Sequence, residues 1–422
     1  MKNKVWTTLF FLIWSVSWSE AQIFTPQLDI SSQFKSTRLS LAKLKQARTE
    51  VWQAWREANH ALEEQQLPSL VPIEAVQPHE WELIEELPMP YYWAAKGEKP
   101  ASAYPLFINI HGSGPKEQEW EATLKWTKVY KDAPSVYFIP QIPTEKRYRW
   151  WYQAEQKAWE KLFRLAFLSE DINPNQIYFM GISEGGYGSQ RLGAFYADYL
   201  AGAGPMAGGE PLDNAPVLNY RHIAFALETG ENDTMFGRRY YTDLARVVFD
   251  QLAMAYPGDF KHRIHLQEGR GHGVDYTLVS PWLRQFVRDP YPKAFSWVNF
   301  PMDKRYRTGF YNLAVLEPFN IAPDTAVDRA VFDFRIEPNN QIYLSAHTFS
   351  LETRSLGELR EGKLRVYLSP ELVDLSKKVE LYVNGHLYFS GKLSMNTSYL
   401  VSSCHTFADP MRLYPTAIDV QF

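Results

Sequence analysis

A chain of 422 residues exceeds what one compact core holds and implies roughly two or three domains. With 45% apolar and 22% charged residues it reads as globular, and a net charge of −4 removes any electrostatic reason for a nucleic-acid or anionic-membrane partner. The single cysteine, Cys404, excludes an intramolecular disulfide and reads as a small buried apolar residue. The 14 Trp, 25 Tyr and 25 Phe are assigned mainly to the core, because aromatic side chains carry large buried areas.

The N-terminus has the form of a secretion signal. Lys2 and Lys4 precede an apolar stretch from Val5 to Trp18, too short for a membrane span. Ser19-Glu20-Ala21 suits cleavage before Gln22, and no cysteine there offers a lipid anchor. Segment 1–21 is therefore expected to leave, with no membrane insertion afterwards. A disulfide-free exported chain fits a bacterial periplasm or exterior.

Segment 22–90 is expected to be largely helical. Leu44, Ala47, Val51, Trp55, Ala58 and Leu62 recur at the helical period within Ser36–Gln66, and Pro68 and Pro72 end it. This helix could cover the next domain, contact the C-terminal part or serve a dimer.

Segment 91–292 alternates strands with helices. Strands are expected at Tyr91–Trp93, Leu106–Ile110, Ser135–Pro140, Ile177–Met180, His222–Leu227 and Arg263–Gln267. Helices are expected at Glu155–Leu168, from Gln190, at Tyr240–Tyr256 and at Pro281–Arg288. This order implies a mostly parallel sheet with helices on both faces and functional groups at the carboxyl ends of its strands. After Pro290-Tyr291-Pro292 the pattern changes to short alternating runs, and Asn384-Gly385 is a hairpin turn. Segment 293–422 is expected to be a small antiparallel β-domain, a sandwich.

Gly181-Ile182-Ser183-Glu184-Gly185 stands between a strand and a helix. A G-x-S-x-G sequence there puts a serine on a sharp turn with its hydroxyl clear of the backbone. Serine is a poor nucleophile and needs a base, and the base needs a carboxylate to fix its tautomer. His272, between Gly271 and Gly273, is the candidate base. Asp233, after the His222–Leu227 strand, is the candidate acid, with Glu231 as rival. The backbone N–H of Glu184 and one from Gly112–Ser113 would form an oxyanion hole. His111 would hold that loop. Arg149, Trp150 and Trp151, in the run Arg147–Tyr152, would line the substrate rim by stacking on a ring or holding a carboxylate. Glu210, after Gly208-Gly209, could face the pocket, with a turn residue as the preferred reading. His262 and His265 read as surface residues, and no metal or cofactor is expected.

Ser183, Asp233 and His272, in that chain order, with His111-Gly112-Ser113-Gly114, resemble the α/β-hydrolase superfamily over about residues 90–290. Gly181-x-Ser183-x-Gly185-Gly186-Tyr187 is similar to secreted feruloyl- and acetyl-esterases and to polyhydroxyalkanoate-depolymerase-like esterases. The resemblance implies a serine hydrolase acting on carboxylic esters, small or polysaccharide-linked. The prolyl-oligopeptidase type shares Gly-Gly-Tyr and a turn like Gly230-Glu231-Asn232-Asp233, but it carries a large propeller that the short segment before residue 91 does not match. A hydrolase fold used only for binding is the third reading, opposed by the complete triad. Val373-Asp374-Leu375-Ser376 and Val383-Asn384-Gly385 resemble domains appended to secreted bacterial hydrolases.

Overall fold

The computed structural model describes residues 28–62, 66–82, 88–143 and 149–422. The leader expected at 1–21 lies outside them, as do Arg147 and Tyr148 of the expected rim.

The first sheet holds β1 (Val71–Pro72), β2 (Pro78–Glu82), β3 (Pro88–Lys96), β4 (Tyr104–Ile110), β5 (Ser135–Pro140), β6 (Ile172–Ile182), β7 (Gly202–Met206), β8 (Ala224–Gly230) and β9 (His262–Gln267). Its order is β1-β3-β5-β4-β6-β7-β8-β9, with β2 sharing an edge of β3 with β1. From β5 to β9 every pairing is parallel, while β3 runs antiparallel to β5 and to β2.

The middle strands are buried on both faces, and side chains alternate between two cores as a period of two requires. Leu106, Ile108, Phe138, Phe179 and Leu227 point to one core, and Phe107, Tyr137, Tyr178 and Ala226 to the other. The first core takes residues of α1 (Leu41–His60), α3 (Gln153–Leu168), α4 (Glu184–Phe195) and α5 (Arg238–Ala255). The second takes residues of α2 (Lys116–Val129) and α6 (Val279–Leu283).

Several elements depart from expectation. Helix α6 ends at Leu283, not Arg288. Arg288 instead turns inward, and its guanidinium pairs with the buried Asp409 carboxylate at 2.8 Å. Strand β7, Gly-Ala-Gly-Pro-Met, has none of the β-branched residues that mark a strand. Its Gly204 is required by packing, since a Cβ there would stand 2.3 Å from Val279 of α6.

Helix α1 touches both halves of the molecule. Its Asn59 accepts a hydrogen bond from Arg164 of α3 at 2.6 Å, and its Arg48 pairs with Glu371 at 2.7 Å. No described helix is long and apolar enough to cross a membrane.

Beyond residue 293 two further sheets face each other. One holds β10 (Ala294–Asn299), β13 (Arg329–Glu337), β14 (Gln341–Ser350), β15 (Ser355–Glu358), β17 (Val379–Val383) and β18 (His386–Gly391). The other holds β11 (Gly309–Phe310), β12 (Leu313–Glu317), β16 (Lys363–Leu368) and β19 (Thr416–Gln421). Trp297 of one stacks on Phe310 of the other at 5.5 Å. Asn384 and Gly385 have φ of 48° and 84°, as a two-residue hairpin turn of this type requires. The sandwich is not purely antiparallel, because β14 and β17 run parallel. It also carries α7 (Thr397–Phe407), which the alternating pattern did not suggest. The Asn396 side chain caps α7 by accepting the Ser398 N–H at 2.9 Å, and Leu400, Cys404 and Phe407 supply its buried face.

Candidate active site

Strands β4, β6, β7, β8 and β9 all end on the same side of the sheet. The loops after them carry Gly112, Ser183, Glu210, Asp233 and His272. Ser183 has φ +57° and ψ −112°, a conformation rare outside glycine. The turn is sharp enough that a Cβ at Gly185 would stand 2.1 Å from the Ile110 carbonyl oxygen. Together the parallel sheet and this strained serine make the α/β-hydrolase fold.

The structure brings the three expected side chains together. The Ser183 hydroxyl lies 3.0 Å from His272 Nε2, and His272 Nδ1 lies 2.7 Å from Asp233 Oδ2. With Nδ1–H donating to the carboxylate, Nε2 is left to accept the serine proton. Asp233 is buried and His272 about half exposed, so the base meets solvent and the acid does not. Glu231, the rival acid, faces elsewhere and accepts the Gly269 N–H at 3.0 Å.

Glu184 is the first residue of α4, so its N–H belongs to the helix-end donors that have no partner within the helix. Gly112 sits across from it, where a Cβ would lie 3.3 Å from that of Ser183. Ser113, next in that loop, is exposed. The Glu184 carboxyl is raised by burial, against the opposing pull of Arg149 and Arg191.

His111 is fully buried behind this loop. Its Nδ1 bonds the Gly112 carbonyl at 2.7 Å, and its Nε2 accepts the Ile142 N–H at 3.1 Å. Burial, with a smaller push from Lys116, brings its pKa down to about 4 against the Gly112 hydrogen bond. The folded state thus refuses a proton that the unfolded chain accepts below about pH 6.5. The stability from this group is complete above that pH and falls as the pH drops toward 4. Between pH 7 and pH 5 the loss should be about 2 kcal/mol. Urea unfolding of wild type and His111→Gln at both pH values isolates it, and equal pH slopes would refute it.

Two of the three expected rim residues are placed otherwise. Trp150 is wholly buried, and its indole N–H donates to the His111 carbonyl at 3.0 Å. It braces the oxyanion loop from behind and offers no face to a substrate. Trp151 is buried with the Arg191 guanidinium 4.0 Å above its ring. The chain turns at this point so that both indoles point into the domain. Arg149 alone reaches the site, where it pairs with Glu184 at 3.2 Å.

Three residues of the site, Arg238, Arg191 and Glu119, were not singled out from the sequence. Arg238, buried at the start of α5, donates to Asp233 Oδ1 at 3.1 Å. Its position five residues after the acid, opening a helix, was the available sign. Arg191 pairs with the buried Glu210 at 2.7 Å, so Glu210 is more than a turn former. Glu119 of α2 presses on the oxyanion loop, with Oε2 3.0 Å from where a Gly112 Cβ would lie. His262 and His265 pair with Asp250 and Glu228, away from the triad.

No family model matches the sequence, and no curated protein does. Solved structures do. A thermostable esterase aligns at 19% identity over 51% of this chain and 64% of its own, with a TM-score of 0.38. The BES protein from Bacillus cereus aligns at 14% identity over 52% of this chain and 98% of its own, also at 0.38. A CE1 ferulic acid esterase from Anaeromyces mucronatus aligns at 13% identity over 54% of this chain and 94% of its own, at 0.37. This chain therefore spans slightly less than two thirds of the thermostable esterase. Likeness at this level identifies no substrate.

Proposed function

We propose that the protein is a secreted serine hydrolase that cleaves carboxylic esters through an acyl-enzyme on Ser183. The observation that carries this is the continuous hydrogen bonding from Ser183 through His272 to Asp233, at 3.0 Å and 2.7 Å, on a serine held at φ +57°. Ser183 Oγ attacks the ester carbonyl carbon while His272 Nε2 takes its proton. The resulting oxyanion is held by the Glu184 N–H and a donor from Gly112–Ser113. Collapse of the adduct expels the alcohol, which leaves with the proton from Nε2. Water, deprotonated by His272, then attacks the acyl carbon and frees the acid. No step calls for a cofactor.

Acyl groups on plant or microbial polysaccharides are the proposed substrate class. An exported or periplasmic location, with cleavage near Ala21, follows from the leader sequence. N-terminal sequencing of protein recovered outside the cytoplasm should then start at Gln22.

The test is turnover of an acetyl aryl ester, a feruloyl ester and a peptide anilide, beside Ser183→Ala. Ester turnover that disappears in the variant is expected, and the acetyl-to-feruloyl ratio sizes the acyl pocket. Anilide turnover dependent on Ser183 would make the protein a peptidase instead. Silence on all three, with no fluorophosphonate reaction at Ser183, would sink the enzymatic reading.

A further inference from the structure

We infer that Glu119 is a specificity-determining residue. Its carboxylate accepts a hydrogen bond from a free hydroxyl of the alcohol being released, so the preferred substrates are esters of polyhydroxylated alcohols such as sugars. This rests on the ester-hydrolase reading above. A Cβ at Gly112 would stand 3.0 Å from Glu119 Oε2 and 3.3 Å from Ser183 Cβ, so carboxylate and nucleophile flank one point. A Cβ at Gly114 would stand 2.5 Å from Glu119 Oε1. The glycines on either side of Ser113 thus leave the space that this carboxylate fills.

Glu119 lies on the alcohol side of the site. Trp126, seven residues on and so on the same face of α2, meets the Tyr276 ring edge-on at 5.1 Å. Burial raises the Tyr276 phenol, and the Glu119 charge adds to the rise. Tyr276 donates its hydroxyl to the His272 carbonyl at 3.3 Å. The face of α2 that carries Glu119 therefore turns toward the segment after His272. The departing alcohol takes its proton from His272 Nε2, so it must stand on this side.

A carboxylate here needs a reason. Negative charge beside the oxyanion opposes the charge that builds there, which works against the reaction unless the substrate uses it. Glu117, exposed in the same first turn, already complements the N-terminal end of α2. Glu119 is partly buried, and among the described residues no hydrogen bond or ion pair takes up its carboxylate. An ionised carboxylate only accepts, and its bonds to hydroxyl donors are short and strong. An ammonium would also suit it, but Lys116, one turn earlier on α2, already supplies positive charge nearby and favours a neutral donor.

The experiment compares kcat/KM for three esters that share an acetyl group. They are an aryl acetate, a monoacetylated methyl xyloside with its other hydroxyls free, and the same sugar with those hydroxyls methylated. Wild type should favour the free sugar over the methylated one by about 10- to 100-fold, the range of a hydrogen bond to a charged group. In Glu119→Ala that ratio should fall to within about threefold of one, and the ratio of free sugar to aryl acetate should fall with it. Glu119→Gln keeps the shape and a neutral acceptor, so its ratios should lie between. If Glu119→Ala does not fold, Glu119→Gln and the wild-type ratio carry the test. A wild type that does not separate the two sugars would overturn the inference without any variant. So would an equal loss on all three esters, the result of a purely structural role at the start of α2. A preference for acetylcholine that Glu119→Ala abolishes would also overturn it, since the carboxylate would then take an ammonium. Turnover of no ester, or turnover that survives Ser183→Ala, would fell the ester-hydrolase reading itself. Ser183-dependent aryl turnover with unchanged sugar ratios in Glu119→Ala would fell this inference alone.

Discussion

Ser183→Ala is expected to lower kcat/KM for an acetyl aryl ester by about 10⁴-fold or more, roughly 5.5 kcal/mol of transition-state stabilisation. In the proposed mechanism the hydroxyl is the atom that bonds to the acyl carbon. His272→Ala should cost about as much, and the double variant should be little worse than either single one, because nucleophile and base act as a unit. Asp233→Asn should fall by about 10⁴-fold while binding substrate normally. Its amide could present an N–H to His272 Nδ1, 2.7 Å away, and so favour the wrong tautomer. Residual activity is expected in all of these, since the Glu184 and Gly112–Ser113 donors survive. The measurements are steady-state kinetics with active-site titration. Ser183→Ala retaining more than a tenth of wild-type kcat/KM would remove Ser183 from the chemistry.

What the sequence made legible follows the strength of local signals. Ser183, Asp233 and His272 could be read because each sits just past a strand, and Ser183 carries the glycines that its turn demands. Strand β5 was expected at the bounds observed, since it is a compact apolar run. Strand β7 was invisible for the opposite reason. Its glycines serve the close approach of α6, so tertiary packing overrides strand propensity there. Trp150 and Trp151 misled because adjacency in sequence says nothing of which way the chain turns. Arg238 escaped because an arginine opening a helix looks like surface until the fold folds it under Phe236 and against Asp233. The ion cluster joining the two halves of the molecule was equally hidden, since its members lie far apart in sequence.

That cluster supports the largest expected effect on stability. Asp198, between α4 and β7, accepts Arg307 at 3.1 Å and Arg412 at 2.6 Å. Asp409 accepts Arg412 and Arg288, both at 2.8 Å. All five side chains are almost wholly buried. Arg412 also lies 4.0 Å from the Tyr199 ring centre, which ties the sandwich to the hydrolase sheet through both charge and stacking. Asp198→Ala would strand Arg307 without a carboxylate and should cost about 3–5 kcal/mol of unfolding free energy, since a buried charge left unpaired is expensive. Arg412→Met should cost a similar amount, because it takes one of two cations from each of two buried carboxylates. Replacing all five by apolar residues of matched volume should be much less damaging, as the desolvation penalty goes with the charges. Denaturant titrations of the two single variants and the fivefold one distinguish pairing from packing. Acid should act on the same joint. Burial would raise the Asp409 carboxyl, but Arg288 and Arg412 outweigh it and hold it below the usual range. A depressed folded pKa means that its stabilisation is present above the unfolded value, about 3.9, and is lost as the pH falls below it. The sandwich should therefore loosen from the hydrolase sheet below about pH 4, after the His111 transition has already spent its share. Tyrosine and tryptophan fluorescence against pH would show two steps in wild type, and the lower one should be missing in Asp409→Asn. A single step common to both proteins would mean that the cluster does not govern acid unfolding.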